Sequence, residues 1–351
     1  MAIKIKAVPR AAMDTWPLDE SGLLVRATRA AHEAGLQTVG QLRGCSDEKL
    51  LSLWSFGRIT LTEVHAFFRF CDRLEQGRQT FRDLREVLEL FLQADQRDIL
   101  FTRFQLTAAA SATPWRRISL QAIGSTRKLT RERVRQIEAK ALASLQSRAA
   151  QLCLEPFYVF ITTWLDRHEK VADPVQFQNL RTEPLLGGLH PAGVLALLVE
   201  LAPARLLYRH GRFFSLSEQE LQRLEQAVLA ILNCKAKPLA AAQLLAEVRR
   251  QKAVGLPAGI GLNFLCTWLD HHPATGATAD GRYFSLATGA PAFVAEVARG
   301  LRRPFHYRRL LEVVNSRLKP GSRRGAGTIL EWLGTGSGFT RIGRGLYDYK
   351  V

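Results

Sequence analysis

Apolar residues recur at spacings of three and four along most of the chain, as in Leu84, Val87, Leu88, Phe91 and Leu92, which marks one buried helical face. Alternating runs of β-branched residues are scarce. The pattern predicts a mainly α protein. Gly, Pro and small residues interrupt it at 76–80, 107–114, 254–261, 273–281 and 287–291, leaving helices of about 10 to 16 residues. A short motif also repeats: Gly211-Arg-Phe-Phe-Ser-Leu216 returns as Gly281-Arg-Tyr-Phe-Ser-Leu286, with a looser echo in Gly343-Arg-Gly-Leu-Tyr-Asp-Tyr349. A Gly-Arg turn leading into alternating aromatics reads as a β-hairpin that closes a group of helices. Three tandem winged-helix-like repeats are therefore expected at 151–217, 218–288 and 289–351. In the last, helices at 293–300, 307–318 and 325–333 precede a hairpin at 338–349.

Charge changes the picture more than composition does. The 351 residues carry a formal +17, and 47% are hydrophobic, an ordinary globular balance. No uninterrupted apolar run approaches membrane-spanning length, and the start lacks an apolar core before a cleavage-type site. A soluble, cytoplasmic protein is expected. Segments 81–150 and 288–351 hold net charges of +6 and +8, against +2, 0 and +1 for 1–80, 151–216 and 217–287. Such localisation favours polyanion-binding surfaces over a general solubility device. Cys45, Cys71, Cys153, Cys234 and Cys266 lie far apart without metal-ligand spacing, and are expected to be reduced, mostly buried thiols.

Signals for catalysis are weak. Asp270-His271-His272 matches a phosphoesterase tripeptide, but it precedes Pro273 at an expected helix end and lacks the other acidic motifs. Gly334, Gly336 and Gly338 form a glycine-rich turn without a preceding parallel strand, and no phosphate-binding loop or zinc-protease helix occurs. His32, His65 and His210 are isolated in sequence. The expectation is a non-enzymatic protein with no cofactor and no metal.

Residues 118–145 spell a helix-turn-helix on physical grounds. Leu120 and Ile123 give a first helix its apolar face, residues 124–129 supply a turn, and Thr130 can cap a second helix. On that helix Val134, Ile137, Ala141 and Leu145 face a core, which sets Arg131, Glu132, Arg135 and Gln136 on the opposite side. Those four can read guanine, cytosine and adenine edges in the major groove. Residues 129–142 resemble region four of the bacterial primary sigma factors nearly residue for residue, and 87–104 also fit, ending in Arg103 and Phe104. The resemblance implies recognition of minus-35-type promoter DNA by these side chains. The longer loop at 107–117, with Trp115, Arg116 and Arg117, departs from the family and bears on its docking to the polymerase β flap.

Residues 18–68 resemble the C-terminal domain of the RNA polymerase α subunit. The resemblance is carried by Leu24-Val25-Arg26, Gly35-Leu36-Gln37-Thr38-Val39-Gly40-Gln41-Leu42 and Ser55-Phe56-Gly57-Arg58-Ile59-Thr60-Leu61-Thr62-Glu63-Val64. Physically this is a helix-hairpin-helix in which Gly57 permits a tight turn toward a phosphate and Thr60 caps the next helix. The family's minor-groove residues map to Arg26, Gly57 and Thr60, with Arg58 between them. Arg29 and Ile59 replace an asparagine and a lysine of the family. The last repeat resembles the HARE-type winged helix through Phe339, Arg341, Gly345 and Tyr347. Arg302, Arg303, Arg308, Arg309, Arg317, Lys319, Arg323 and Arg324 crowd it, with Arg341 and Arg344 on the expected wing, a density suited to phosphate.

The expected domains are thus 1–76, helix-hairpin-helix; 77–150, helix-turn-helix; and the three winged-helix-like repeats, of which the two near-neutral ones are spacers or protein-contacting surfaces. The expected function is sequence-specific binding of double-stranded DNA, reading a minus-35-like element plus an A-tract, in transcription regulation at the nucleoid. RNA polymerase or another protein subunit is a further expected partner, and a membrane is not. Two alternatives stand beside it: a polymerase-binding adaptor, and the DNA-targeting subunit of a mobile-element or defence system with a catalytic partner.

Overall fold

The computed structural model describes residues 2–107, 115–173, 175–235, 237–251, 255, 257–335 and 338–349. The chain is 60% helical with small antiparallel sheets, as the spacing of its apolar residues predicts. Most of the interruption at 107–114, part of that at 254–261, and Gly336 lie outside the described residues. The chain divides into two compact units, Met1–Thr163 with Pro174–Ala202, and Trp164–Asp173 with Pro203–Val351.

The first unit opens with β1 (Ile3–Lys4), then α1 (Arg10–Asp14), α2 (Leu18–Ser21), α3 (Val25–Glu33), α4 (Val39–Arg43), α5 (Asp47–Leu51) and α6 (Arg58–Glu75). Four of these helices have only four or five residues, shorter than predicted, because stop signals are written every few positions. Thr38 and Gln41 form a capping box on α4, Ser46 caps α5, and Gly22 and Gly35 take left-handed turns. Met13, Leu18, Ala31, Val39, Leu42, Val64 and Leu74 are fully buried.

Next come β2 (Thr80–Phe81), α7 (Leu84–Phe91), α8 (Ala94–Arg103), α9 (Leu120–Arg127), α10 (Arg131–Gln146), α11 (Arg148–Arg167) and α12 (Pro191–Leu201). The modules that carry α6 and α10 are joined by several contacts among the described residues, including an edge-on ring pair between Phe70 and Phe91. Strand β2 pairs antiparallel with β1, setting Ile3 opposite Phe81. Beside Gly22 there is so little room that a Cβ would lie 2.9 Å from Ser147 Oγ, and Arg148 pairs with Glu20 at 2.8 Å.

The second unit contains β3 (Val171–Ala172), β4 (Leu207–Arg209), β5 (Arg212–Phe214), α13 (Glu218–Cys234), β6 (Leu239–Ala240), α14 (Ala241–Arg250), α15 (Leu262–Leu269), β7 (Thr275–Ala277) and β8 (Arg282–Ser285). It ends with α16 (Gly289–Arg299), β9 (Phe305–His306), α17 (Tyr307–Ser316), α18 (Ala326–Thr335), β10 (Phe339–Gly343) and β11 (Leu346–Tyr349). Each of its three sheets has the same order, β3-β5-β4, β6-β8-β7 and β9-β11-β10, so the last strand in sequence always lies in the middle. The repeated Gly-Arg motif does mark hairpins. His210 and Gly211 are both left-handed between β4 and β5, and Gly281 and Gly345 are left-handed ahead of β8 and β11.

Helices α6, α11 and α13, at 18, 20 and 17 residues, exceed the predicted length. The α16 helix starts at Gly289, inside the predicted break, because Pro291 falls in its first turn, where a missing N–H is harmless. One core joins Val171, Leu207 and Phe214 of the first sheet to Leu244, Phe264 and Trp268. Another gathers Phe284, Phe293, Val297, Leu310 and Ile329. The hairpin edge of the second repeat is taken up by the third. Thr278 bridges Leu318, the Ala279 N–H donates to Arg317 O at 2.7 Å, and the Lys319 N–H donates to Ala277 O at 2.9 Å.

Candidate nucleic-acid interface

The α9–α10 pair is built around Ile99, Ile123, Val134 and Ile137. Ser119 caps α9, and the Thr130 side chain accepts from the Arg133 N–H at the start of α10. The turn is shorter than the sequence suggests. The α9 helix continues through Arg127, Lys128 alone is left-handed, and Gly124 is a helical residue rather than part of the turn. Its role is close packing, since a Cβ there would lie 2.6 Å from Leu129 O. Arg103 locks the pair from behind: its guanidinium donates to Glu138 at 2.9 Å and to the Ile118 carbonyl, and the side chains of Arg103 and Glu138 are both nearly buried. Trp115, in the loop that departs from the family, is a core residue that donates from Nε1 to Phe104 O at 3.0 Å. Its basic neighbours, Arg116 and Arg117, mask this apolar anchor in the sequence.

On the outer side of α10, Arg131, Glu132, Arg135 and Gln136 are all exposed, while Val134, Ile137, Ala141 and Leu145 are buried. Three of the four are organised among themselves. Arg135 grips Glu132 with two bonds, Nε at 2.8 Å and Nη2 at 2.7 Å, and Gln136 Nε2 donates to Glu132 Oε1 at 3.3 Å. The Arg135 guanidinium holds the Glu132 carboxyl below the usual carboxylate range. The shared carboxylate orients the Arg135 and Gln136 side chains relative to each other on the exposed side of the helix. Lys128, Arg133 and Lys140 are exposed on or beside the same two helices, positions that the sequence does not distinguish. Their spacing alone does not separate them from solvated charge.

The amino-terminal module brings Arg26 and Arg29 of α3 together with the turn before α6. They line a groove of about 420 Å³ with Val25, Ala30, Glu33, Trp54 and Ser55. Gly57 and Arg58 are exposed where α6 begins. Two details of the expected hairpin are corrected. The left-handed residue is Ser55, at φ 61°, whereas Gly57 is extended. Gly57 is also the N-cap of α6, which places Thr60 inside the first turn, 1% exposed and with no capping role. A helix starting three residues earlier than expected turns a capping hydroxyl into a packed one. Arg29 pairs with Glu33 at 3.1 Å.

In the third repeat, Arg308 and Arg309 lie exposed at the start of α17, and Arg341 and Arg344 on the β10–β11 hairpin. Asn315 fixes the approach to α18: its Nδ2 donates to Arg324 O and its Oδ1 accepts from the Arg324 N–H, each at 2.9 Å. Arg323 and Arg324 are thereby held beside the amino end of α18.

The last helix before each of the first two hairpins is occupied otherwise. In the first unit α12 is buried along Pro191–Leu198 and at Leu201, the His190 N–H donates to Leu106 O at 2.7 Å, and a Cβ on Gly193 would collide with Phe104 O. In the second unit the amino end of α15 is covered by Glu169, whose carboxylate accepts from the Phe264 N–H at 2.9 Å.

The tripeptide at 270–272 is divided, each residue engaged in separate structural contacts. Asp270 accepts from Tyr283 Oη at 2.9 Å and Lys319 Nζ at 2.8 Å, His271 meets Arg212 at 2.8 Å, and His272 meets Glu225 at 3.1 Å. His32 and His65 pair with Asp19 and Asp47. Of the cysteines only Cys71 and Cys153 are buried, and burial raises their thiols to about 11 and about 12; Cys234 is exposed.

The family model for sigma-70, region 4 matches residues 92–147, a span that covers α8, α9 and α10. Comparisons with curated proteins and with solved structures gave no match. Sigma-70 region 4 is a helix-turn-helix DNA-binding module that also contacts RNA polymerase, and the similarity of this segment to it is consistent with DNA binding and transcription regulation. No helix among the described residues is long and apolar enough to cross a membrane.

Proposed function

We propose that the protein is a non-catalytic, sequence-specific binder of double-stranded DNA that reads a minus-35-like element together with an A-tract and regulates transcription at the nucleoid. The observation that carries this reading is the outer face of α10. Arg131, Glu132, Arg135 and Gln136 stand exposed on a capped helix, three of them mutually ordered, in the segment that matches sigma-70 region 4. The A-tract reader in this proposal is the α-C-terminal-domain-like module at 1–76, through Arg26, Arg29, Gly57 and Arg58. The β1–β2 pairing and the Glu20–Arg148 contact support joint reading, because they hold the two modules at one spacing instead of leaving them on a tether.

The repeats at 151–217, 218–288 and 289–351 fit this scheme as winged helices. Their shared first-third-second strand order supports the assignment. The first two serve as framework, since α12 and the amino end of α15 are engaged in packing. The third, HARE-like, adds phosphate contacts through its arginines. RNA polymerase remains a proposed second partner, for which the match to sigma-70 region 4 is the supporting observation.

Selection of binding sites from a random duplex library with the full chain tests the proposal. Enrichment of a TTGACA-like core with a phased A-tract is the expected result. Strong binding without any motif would contradict base reading by α10, and absence of binding would move the weight to the polymerase-adaptor role.

A further inference from the structure

The most exposed large apolar side chain among those described is Trp54, at 82%, and Val25, at 78%, lines the same groove. Tryptophan is enriched at interfaces, and an exposed indole beside an exposed valine in one groove forms an apolar patch rather than a scattered side chain. It is also rigidly presented. The Leu53 N–H donates to Leu50 O, the Phe56 N–H donates to Leu53 O, and Ser52 Oγ donates to Lys49 O at 2.7 Å. Ser55 turns left-handed, and Phe56, 4% exposed, anchors the far side. Trp54 therefore projects from a closed turn.

The surroundings select what it meets. Arg26 and Arg29 line the groove with it, and Arg58 opens the helix that follows. The one carboxylate in the lining, Glu33, is engaged by Arg29. An apolar projection rimmed by guanidinium groups is complementary to a surface that offers phosphates at its edges and stacked rings between them. Proteins that bind the minor groove insert apolar side chains at base steps in this way and kink the duplex.

We propose that Trp54 is a wedge that enters a base step of the bound duplex, flanked by Arg26 and Arg29, and bends the DNA. The inference rests on the reading of residues 1–76 as a DNA-binding module and adds to it a deformation that minor-groove binding alone does not require. An acidic protein surface is the competing occupant.

The test uses the full chain and a duplex of about 30 base pairs carrying a TTGACA core and an A-tract, with dyes at its ends and 2-aminopurine within the A-tract. Binding should shorten the end-to-end distance by an amount matching a bend of about 20–90°, brighten 2-aminopurine, and shield Trp54 from acrylamide. Trp54→Ala should abolish the bend and the brightening while changing affinity by less than about tenfold, because removing the indole also removes the cost of unstacking the base step. Trp54→Phe should restore both. Since the side chain is exposed, the melting temperature should not move in either variant. A straight wild-type complex, or an equal bend with Trp54→Ala, would overturn the wedge and leave DNA binding standing. If Arg26→Ala also leaves affinity unchanged and Trp54 stays quenchable in the complex, the DNA-binding reading of this module falls as well, and the acidic protein occupant takes its place.

Discussion

Arg135 and Gln136 share a single carboxylate, Glu132, so the outer face of α10 behaves as one hydrogen-bonded group. Replacing Arg135 and Gln136 with alanine should cost roughly 1–3 kcal/mol of sequence preference for each bidentate base pairing removed, seen by competition between the selected duplex and a scrambled one. Preference that survives both changes would remove α10 from the recognition role. A second expectation concerns His190, which caps α12 by accepting from the Gly193 N–H. Burial, and then the Arg181 cation, push its imidazole below the ordinary value. A histidine whose folded pKa is depressed stabilises the fold above its unfolded pKa of about 6.5, and that contribution fades as pH falls. The melting temperature should therefore drop between about pH 7 and pH 5, and His190→Asn, which keeps a capping acceptor, should flatten the decline. Residues 131–136 are legible in the sequence because a cap and an apolar stripe fix which way a helix faces. Thr60 is not, since three residues of difference in where α6 begins decide between a cap and a buried side chain.

Among the elements, hairpins are the most readable. Paired left-handed residues and aromatics leave few alternatives to a tight turn, and the strands follow. The partners of α12 and α15 cannot be read in the same way. Their largely apolar character announces burial but does not say against what, and the cover is supplied by Phe104 in one case and Glu169 in the other. Gly193→Ala should destabilise the first unit by about 1–3 kcal/mol, because Phe104 O stands where the methyl would go. Glu169→Gln should lower stability by less, about 0.5–2 kcal/mol, the range of a helix cap, as measured by denaturant unfolding. Neither change should alter sequence preference. If Glu169→Gln opened α15 to DNA, the framework role of the second repeat would be wrong.

For the whole molecule, the excess charge of +17 sits mainly in 81–150 and 288–351. Replacing Arg323 and Arg324 with alanine should weaken binding to all duplexes alike and flatten the dependence of log affinity on log salt by about two, one for each phosphate no longer neutralised. A loss confined to one sequence would contradict their positioning role. The charge distribution is plain from the sequence; the joints between modules are not, because they depend on pairs such as Ile3 with Phe81 and Thr278 with Leu318 that lie 40 or more positions apart. The second of these joints bears on how such a chain can diversify. The outer edge of β7 is satisfied by residues 317–319, so the third repeat doubles as the seal on its neighbour's sheet. Exchanging that repeat for another by recombination, or losing it, would bare a strand edge open to pairing with a second chain. The second and third repeats are thus expected to persist or be lost together, since neither edge is closed without the other.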